Sequence, residues 1–569
     1  MVSHPDIPDL PSPAWLDRPW VAAGLLGLVV LALTAPSQPW SRALGHPTSD
    51  LADHVQGMWW FGEEILRGRW PSFSASTHAP QGTALWFADP VGGLLSVLIR
   101  PLGPLLSFNG VVLLQLWAAG LTSWAMCKDL GASSAGALLA GVFLCTSPYL
   151  LGLVHSGITE GLGLTPVVLL CWAVLRSMGR GGSPPRLGFL WAGLALSWVG
   201  LQSPVYLAGG LVLCGLSALG SLRQLPQRLA TLGGIFAIAT GPMLWLRRSV
   251  QSTLGENNQV AGSWAPGWQP EGLPATDLLG FFRPGAHYFP DTPALGNPGV
   301  LHVHYLGWVA LGCAALGWRR APWLRLPAIG VGLMCLGPSL AWNGEHIPSL
   351  DSPLLLPLSL FYLDGSPLSF VHHPYRLVAL ALPVLAVLLS LGVSKLRTGW
   401  VGVLGLGIVL EALLLSPAPW PLASTGVATP EVYASLPDGP VMDWPPDGTT
   451  WNRRYQLWQT LHRRPIAYGV NTTFPEAARH DPVLWSAFAR LTDPMAQLKN
   501  RDIPGRLPRL STQRTSLVEQ GFTALVFHPE ALEPGDRRRT LNALQQAYGP
   551  PAVRAEGAYG WSLQEPALP

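Results

Sequence analysis

Runs of mostly apolar residues, each about as long as a membrane-crossing helix, recur through the first three quarters of the chain. A span needs about twenty such residues, fewer where the helix is irregular. The pattern predicts spans at 20–36, 109–127, 132–148, 162–176, 187–201, 204–220, 229–246, 303–318, 326–342, 374–394 and 398–416. One further stretch, 84–106, is apolar but broken by Asp89, prolines and glycines, and reads either as re-entrant half-helices or as an extra span. After residue 416 the pattern changes. Short β-like runs ("GPVMDW", "RPIAYGV", "FTALVFHP", "YGWSLQ") alternate with helix-like stretches at 451–463, 482–491 and 535–548. That alternation predicts a small α/β domain, joined through the stiff connector "SPAPWPL". The expected fold is a mainly α, polytopic membrane protein of about eleven helices over 1–416, with external loops 37–108 and 247–302 and an external α/β domain over 417–569.

Composition agrees. Hydrophobic residues make up 49% of the chain and charged residues 12%, against about 25% charged in soluble domains. The net charge of +3 is too small, and its basic residues too scattered, for a nucleic-acid partner. Cys127, Cys145, Cys171, Cys214, Cys313 and Cys335 all lie in apolar runs, which argues against a disulfide framework or a zinc site and for small buried hydrophobes. Asp6, Asp9 and Asp17 precede the first run and no cleavage site follows it, so residues 20–36 read as a retained span.

Loop charges set the orientation. Alternate connections hold Lys128; Arg176, Arg180 and Arg186; Arg223 and Arg228; Arg319, Arg320 and Arg325; and Lys395 and Arg397. All fall inside if the N-terminus is cytoplasmic, which places the C-terminal region outside. Arg247 and Arg248 break the bias at the mouth of an outer loop, and suggest an anionic partner there.

Three outer stretches concentrate ionisable groups. "SDLADHVQGMWW" opens the first external loop, and a helix starting at Ser49 or Asp50 places Asp50, Asp53, His54 and Gly57 on one face. Such a helix is expected to lie in the interface with Trp59 and Trp60 at headgroup level. First-turn capping would account for the aspartates, though not for His54 beside them. "VHSGITEG" puts His155 and Glu160 in an otherwise uncharged second outer connection, where an unpaired charge costs several kcal/mol. "SFVHHPYRL" sets His372, His373, Tyr375 and Arg376 at the outer mouth of the tenth span. Arginine grips phosphate through a planar fork of donors, and an outer arginine can also be a snorkelling anchor. The loop 249–302 adds Trp264, Trp268, His287, Tyr288 and His302 as a lid over a site.

With "SDLADHV", the following "GRWP" (Gly68–Pro71), "HAPQGTALWFADP", "FVHHPYRL" and "VYASLPDGPVMDWPP", nearly the whole chain resembles the GT-C superfamily of membrane glycosyltransferases, in its bacterial envelope members. The resemblance implies a polyprenyl-phosphate-linked sugar donor, an envelope glycan, lipid or protein acceptor, and inversion at the anomeric carbon. Carried over, the first-loop catalytic acid falls on Asp50 or Asp53, the second-loop acid on Glu160, and the phosphate-binding base on Arg376. His54, His155, Arg247, Arg248, His372 and His373 are the accompanying substrate-binding candidates. The two aspartates stand three apart rather than adjacent or as DxD, so the base is open, no cofactor is expected and a divalent metal stays undecided. Two readings compete: a catalytically inert scaffold of the same architecture in polysaccharide assembly, and a secondary transporter. A transporter places paired charges midway along its helices and repeats its fold, whereas here the charges gather at outer helix ends.

Overall fold

The computed structural model describes residues 13–85, 87–177, 185–219, 275–284, 300–349, 352–357, 359–362, 373–445, 451–469 and 510–564, with isolated positions between 233 and 241. Helices α1 (Pro19–Thr34), α2 (Leu51–Leu66), α3 (Pro90–Ile99), α4 (Pro104–Asp129), α5 (Ser134–Cys145), α6 (Pro148–Ser156), α7 (Thr159–Leu162), α8 (Thr165–Ser177), α9 (Pro185–Gln202) and α10 (Pro204–Leu219) are followed by Trp308–Arg320, Arg325–Leu336, Val378–Val393 and Thr398–Leu414. Six of the first ten begin on proline, whose fixed φ and missing N–H suit the first helical position.

Among the described residues, five helical segments are long and apolar enough to cross a membrane: Pro19–Ser37, Pro104–Asp129, Ser134–Ser156, Thr159–Arg176 and Pro374–Val393. Shorter apolar helices cover Pro90–Leu102, Leu190–Gln202, Val205–Cys214, Pro322–Leu336 and Thr398–Leu414. The chain is a multi-pass membrane protein. The expected span 229–246 falls almost wholly outside the described residues. The broken stretch 84–106 is a short helix, α3, ended by a 3-10 turn at Arg100–Leu102 before α4 begins. The span expected at 132–148 continues past its expected end, because Ser147 and Pro148 end one helix and start the buried α6.

Trp308–Arg320 and Val378–Val393 pack backbone to backbone. A Cβ on Gly317 would stand 1.8 Å from the Leu388 carbonyl oxygen, and one on Gly392 would stand 2.1 Å from that of Cys313. Small residues permit this approach where apolar burial gives helices no mutual preference over lipid. The loops expected on the inner side meet at one end of the bundle. Lys128 Nζ lies 2.7 Å from Asp17, Arg176 Nε donates to Asp129 at 2.7 Å, Ser394 accepts from the Ser133 amide at 3.0 Å, and Arg320 donates to the carbonyl of Gly392 at 2.7 Å. All six cysteines are buried free thiols.

The C-terminal region carries a four-stranded sheet in the order Val553–Ala555, Ala558–Ser562, Ala524–Phe527, Val441–Trp444. The last pair is parallel and the others antiparallel. Period-two alternation splits its side chains. Met442, Trp444, Leu525 and Phe527 enter one core, while Val441, Ala524 and Val526 enter the other. The expected strand in "RPIAYGV" is reduced to a single bridge from Ile466 to Val441. Its backbone turns instead to the first loop, where Ile466 N donates to Ser76 O and Ala79 N to Ile466 O, both at 2.9 Å. The helix-like stretch 482–491 lies outside the described residues. A second seam pairs Arg42–Leu44 with Ser424–Gly426, so the first loop and the C-terminal region are stitched together at two places.

Candidate functional site

Helix α2 starts where "SD" predicts, yet neither its first acid nor its setting follows the simplest reading. Asp50 occupies the N-cap without a capping side-chain bond. Ser49 Oγ accepts the Leu51 N–H at 3.2 Å instead. The Asp50 carboxylate turns to Arg453 Nη2, 2.9 Å away on the helix Trp451–His462. The helix does not float in the interface. Residues Leu51–Gly62 are all buried, with Trp59 9% and Trp60 2% exposed, so these tryptophans pack inside the protein rather than at headgroup level. It packs against α3 and against Trp451–His462, which together cover much of its surface.

One turn on, Asp53 is 8% exposed and its Oδ1 has no hydrogen-bond partner. Gln456 hydrogen-bonds the same carboxylate. Burial first, and the Asp50 charge second, push the Asp53 carboxyl up to about 6. A carboxylate held in low dielectric beside a like charge favours its protonated form. Next to it, His54 Nε2 lies 3.2 Å from Glu160 Oε2, and Nδ1 is 3.0 Å from Thr159 Oγ1. Glu160 and Thr159 reach His54 because α6 ends on Gly157, at φ +68°, directly against the start of α2. A Cβ there would stand 2.5 Å from Leu51 Cα.

Arg376 approaches from the start of the Pro374–Val393 segment, half-buried, with a buried Nε that has no hydrogen-bond partner. It interacts electrostatically with Glu160 and Tyr149 and donates a hydrogen bond to the Tyr375 side chain. Below it Tyr149 donates to the Arg376 carbonyl at 3.1 Å, and the Tyr149 and Tyr206 hydroxyls are 2.7 Å apart. His302 Nδ1 is 2.9 Å from the Tyr375 hydroxyl, and its ring is 5.4 Å from that of His373. Burial and the Arg376 charge hold His302 down at about 4, so it is neutral at pH 7, and it also senses Asp50. Asp50, Asp53, His54, Glu160, His373 and Arg376 are thus drawn together at the end of the bundle opposite the basic loops. His155 is close by, its ring stacked at 5.3 Å on His46. Arg247, Arg248 and His372 lie outside the described residues, as do Trp264, Trp268, His287 and Tyr288 of the expected lid.

Several participants carried no signal strong enough to be singled out. Asp89 is fully buried, accepts from Gly92 N at 2.8 Å and Gln202 Nε2 at 2.9 Å, and is electrostatically coupled to Glu160 and His54. In sequence it only interrupts an apolar stretch. Arg453 and Gln456 sit on a polar helix some four hundred residues from their targets, and only the fold brings them in. Among the described residues no group of three or more His, Cys, Asp or Glu is arranged to hold a metal ion.

No family model matches the sequence, and neither does any curated protein. Among solved structures, ArnT from Cupriavidus metallidurans in the apo state is similar over 97% of this chain and 98% of its own, at 13% identity and a TM-score of 0.50. The arabinofuranosyltransferase AftD from Mycobacteria matches 92% of this chain at 16% identity and a TM-score of 0.49, and this chain spans 36% of its length. The archaeal oligosaccharyltransferase AglB from Archaeoglobus fulgidus, solved with an inhibitory peptide and a dolichol-phosphate, covers 90% of this chain and 69% of its own, at 11% identity and a TM-score of 0.46. The end-to-end similarity to ArnT shows that the two chains share one overall fold.

Proposed function

We propose that the protein transfers a sugar from a polyprenyl-phosphate donor to a cell-envelope acceptor on the outer face of the inner membrane. The observation that carries this reading is the convergence of a buried carboxylate with a free oxygen, Asp53, and a buried guanidinium edge, Arg376 Nε, at one end of the helix bundle. In the reaction Asp53 accepts the proton of an acceptor hydroxyl as its oxygen attacks the anomeric carbon. The bond from that carbon to the phosphate oxygen breaks, and the polyprenyl phosphate leaves with inversion. Arg376 takes up the charge growing on the departing phosphate. A base with a pKa of about 6 is ionised at neutral pH yet close enough to it for efficient proton transfer. Asp50, neutralised by Arg453, is the less suitable base and serves to raise its neighbour. The His54–Glu160 pair orients the acceptor.

Full-length protein in liposomes containing a polyprenyl-phosphate sugar tests this directly. Depletion of the lipid-linked sugar by the wild type, lost in Asp53→Asn and largely kept in Asp50→Asn, is expected. No depletion by the wild type with any acceptor extract from the envelope would leave the inert scaffold as the better reading.

A further inference from the structure

A second polar cavity lies apart from this site, where the C-terminal half of α2 meets the start of α4. Trp59, Ser96, Arg100, Pro104, Ser107 and Arg463 line it. It offers about 50 Å³ to the centres of water-sized groups, several times the roughly 10–15 Å³ that one water needs, so it admits a group of phosphate size. Two of the lining residues carry buried donors with no hydrogen-bond partner: Ser107 Oγ, on a residue 5% exposed, and Trp59 Nε1, on a residue 9% exposed. The 26-residue helix α4 begins here at Pro104, with no side-chain cap. Its Leu105 and Leu106 amides have no partner inside the helix, and its positive end favours an anion.

The charges point the same way. Arg100 Nη1 donates to the Trp59 carbonyl at 3.2 Å and its other arm is ion-paired with Glu63. Glu63 and Glu64 are also bound by Arg67 and Arg69. Arg463 has no carboxylate partner among the described residues. It reaches the cavity from the end of the helix Trp451–His462, with its backbone at φ +61°. Four guanidinium groups therefore face two carboxylates. Alongside, Leu94, Leu98 and Leu102 are 49%, 79% and 64% exposed at intervals of four, an apolar line of the kind that favours a bilayer surface.

We infer that this cavity binds a phosphate group at the membrane surface, that of a phosphate-bearing lipid, held by Arg100, Arg463, Ser107 and Trp59. The site is separate from the transfer chemistry and does not depend on it.

Native mass spectrometry of the full chain in detergent provides the test, with phosphatidic acid as the probe, galactosyl diacylglycerol as the phosphate-free control and inorganic phosphate as the lipid-free arm. Phosphatidic acid adducts should exceed those of the galactolipid and weaken as salt rises. Arg463→Gln should weaken them about tenfold, and Ser107→Ala about threefold to tenfold, with thermal melting unchanged because neither side chain forms a hydrogen bond among the described residues. Equal retention of both lipids, or unaltered phosphatidic acid binding in both variants, would overturn the proposal. Tight inorganic phosphate binding with phosphatidic acid refused would overturn the lipid source.

Discussion

Asp53→Asn is the substitution on which the proposed chemistry turns. It keeps the size of the side chain and one hydrogen-bonding oxygen but removes the ability to accept a proton. General base catalysis is worth about a hundredfold to ten-thousandfold, so transfer should fall by that order. Stability should move the other way. The Asp53 carboxyl rises from 3.8 to about 6 on folding, equivalent to about 3 kcal/mol. For an acid raised by folding, the folded state holds the proton more tightly than the unfolded state does. The native fold is therefore least burdened below pH 3.8 and loses stability as pH climbs through about 6. Asparagine carries no charge to desolvate, so the variant should melt at least as high as the wild type at pH 8, with its advantage shrinking towards pH 5. Its amide needs partners in the same pocket, which makes 3 kcal/mol an upper bound. Transfer assays in liposomes and thermal melts across pH 5–8 measure both effects, and the wild-type activity should show an acid limb near pH 6. Full transfer by both Asp53→Asn and Asp50→Asn would refute the base assignment. A variant that melts lower at every pH would refute the account of a strained, buried carboxylate.

Arg453→Gln frees the Asp50 carboxylate, and because that ion pair is partly exposed the loss in melting stability should be only about 0.5–1 kcal/mol. A double-mutant cycle with Asp50→Asn should recover most of it. Gly157→Val forces a branched side chain into a left-handed φ against Leu51. It should cost more than about 1 kcal/mol and, by pushing α6 from α2, also lower transfer; an unshifted melting temperature would show that the contact is slack. Arg376→Ala removes the half-buried guanidinium, and binding of undecaprenyl phosphate, followed by intrinsic tryptophan fluorescence, should weaken at least tenfold; unchanged affinity would remove Arg376 from the phosphate role.

Many of the apolar helices were legible from the apolar runs alone, because a membrane helix must satisfy its own backbone and cover about twenty residues with apolar side chains. Thus α4, α9 and α10 and the helices at 308–320, 378–393 and 398–414 appear close to where the apolar runs stand. The stretches proposed to carry the chemistry were legible too, since Asp50, Asp53, Glu160 and Arg376 are charges at the ends of greasy segments, where each must find water or a partner. Their roles were not. Asp50 and Asp53 look alike in "SDLADH", and only tertiary structure separates them, by bringing Arg453 to one and burying the other under Gln456. Likewise "RPIAYGV" has the composition of a strand, but its hydrogen bonds are claimed by residues 76–79 of a distant loop. Periodicity records how a segment meets its solvent, whereas pairing across four hundred residues depends on which surfaces the folded helices leave open, and that is decided only when the bundle closes.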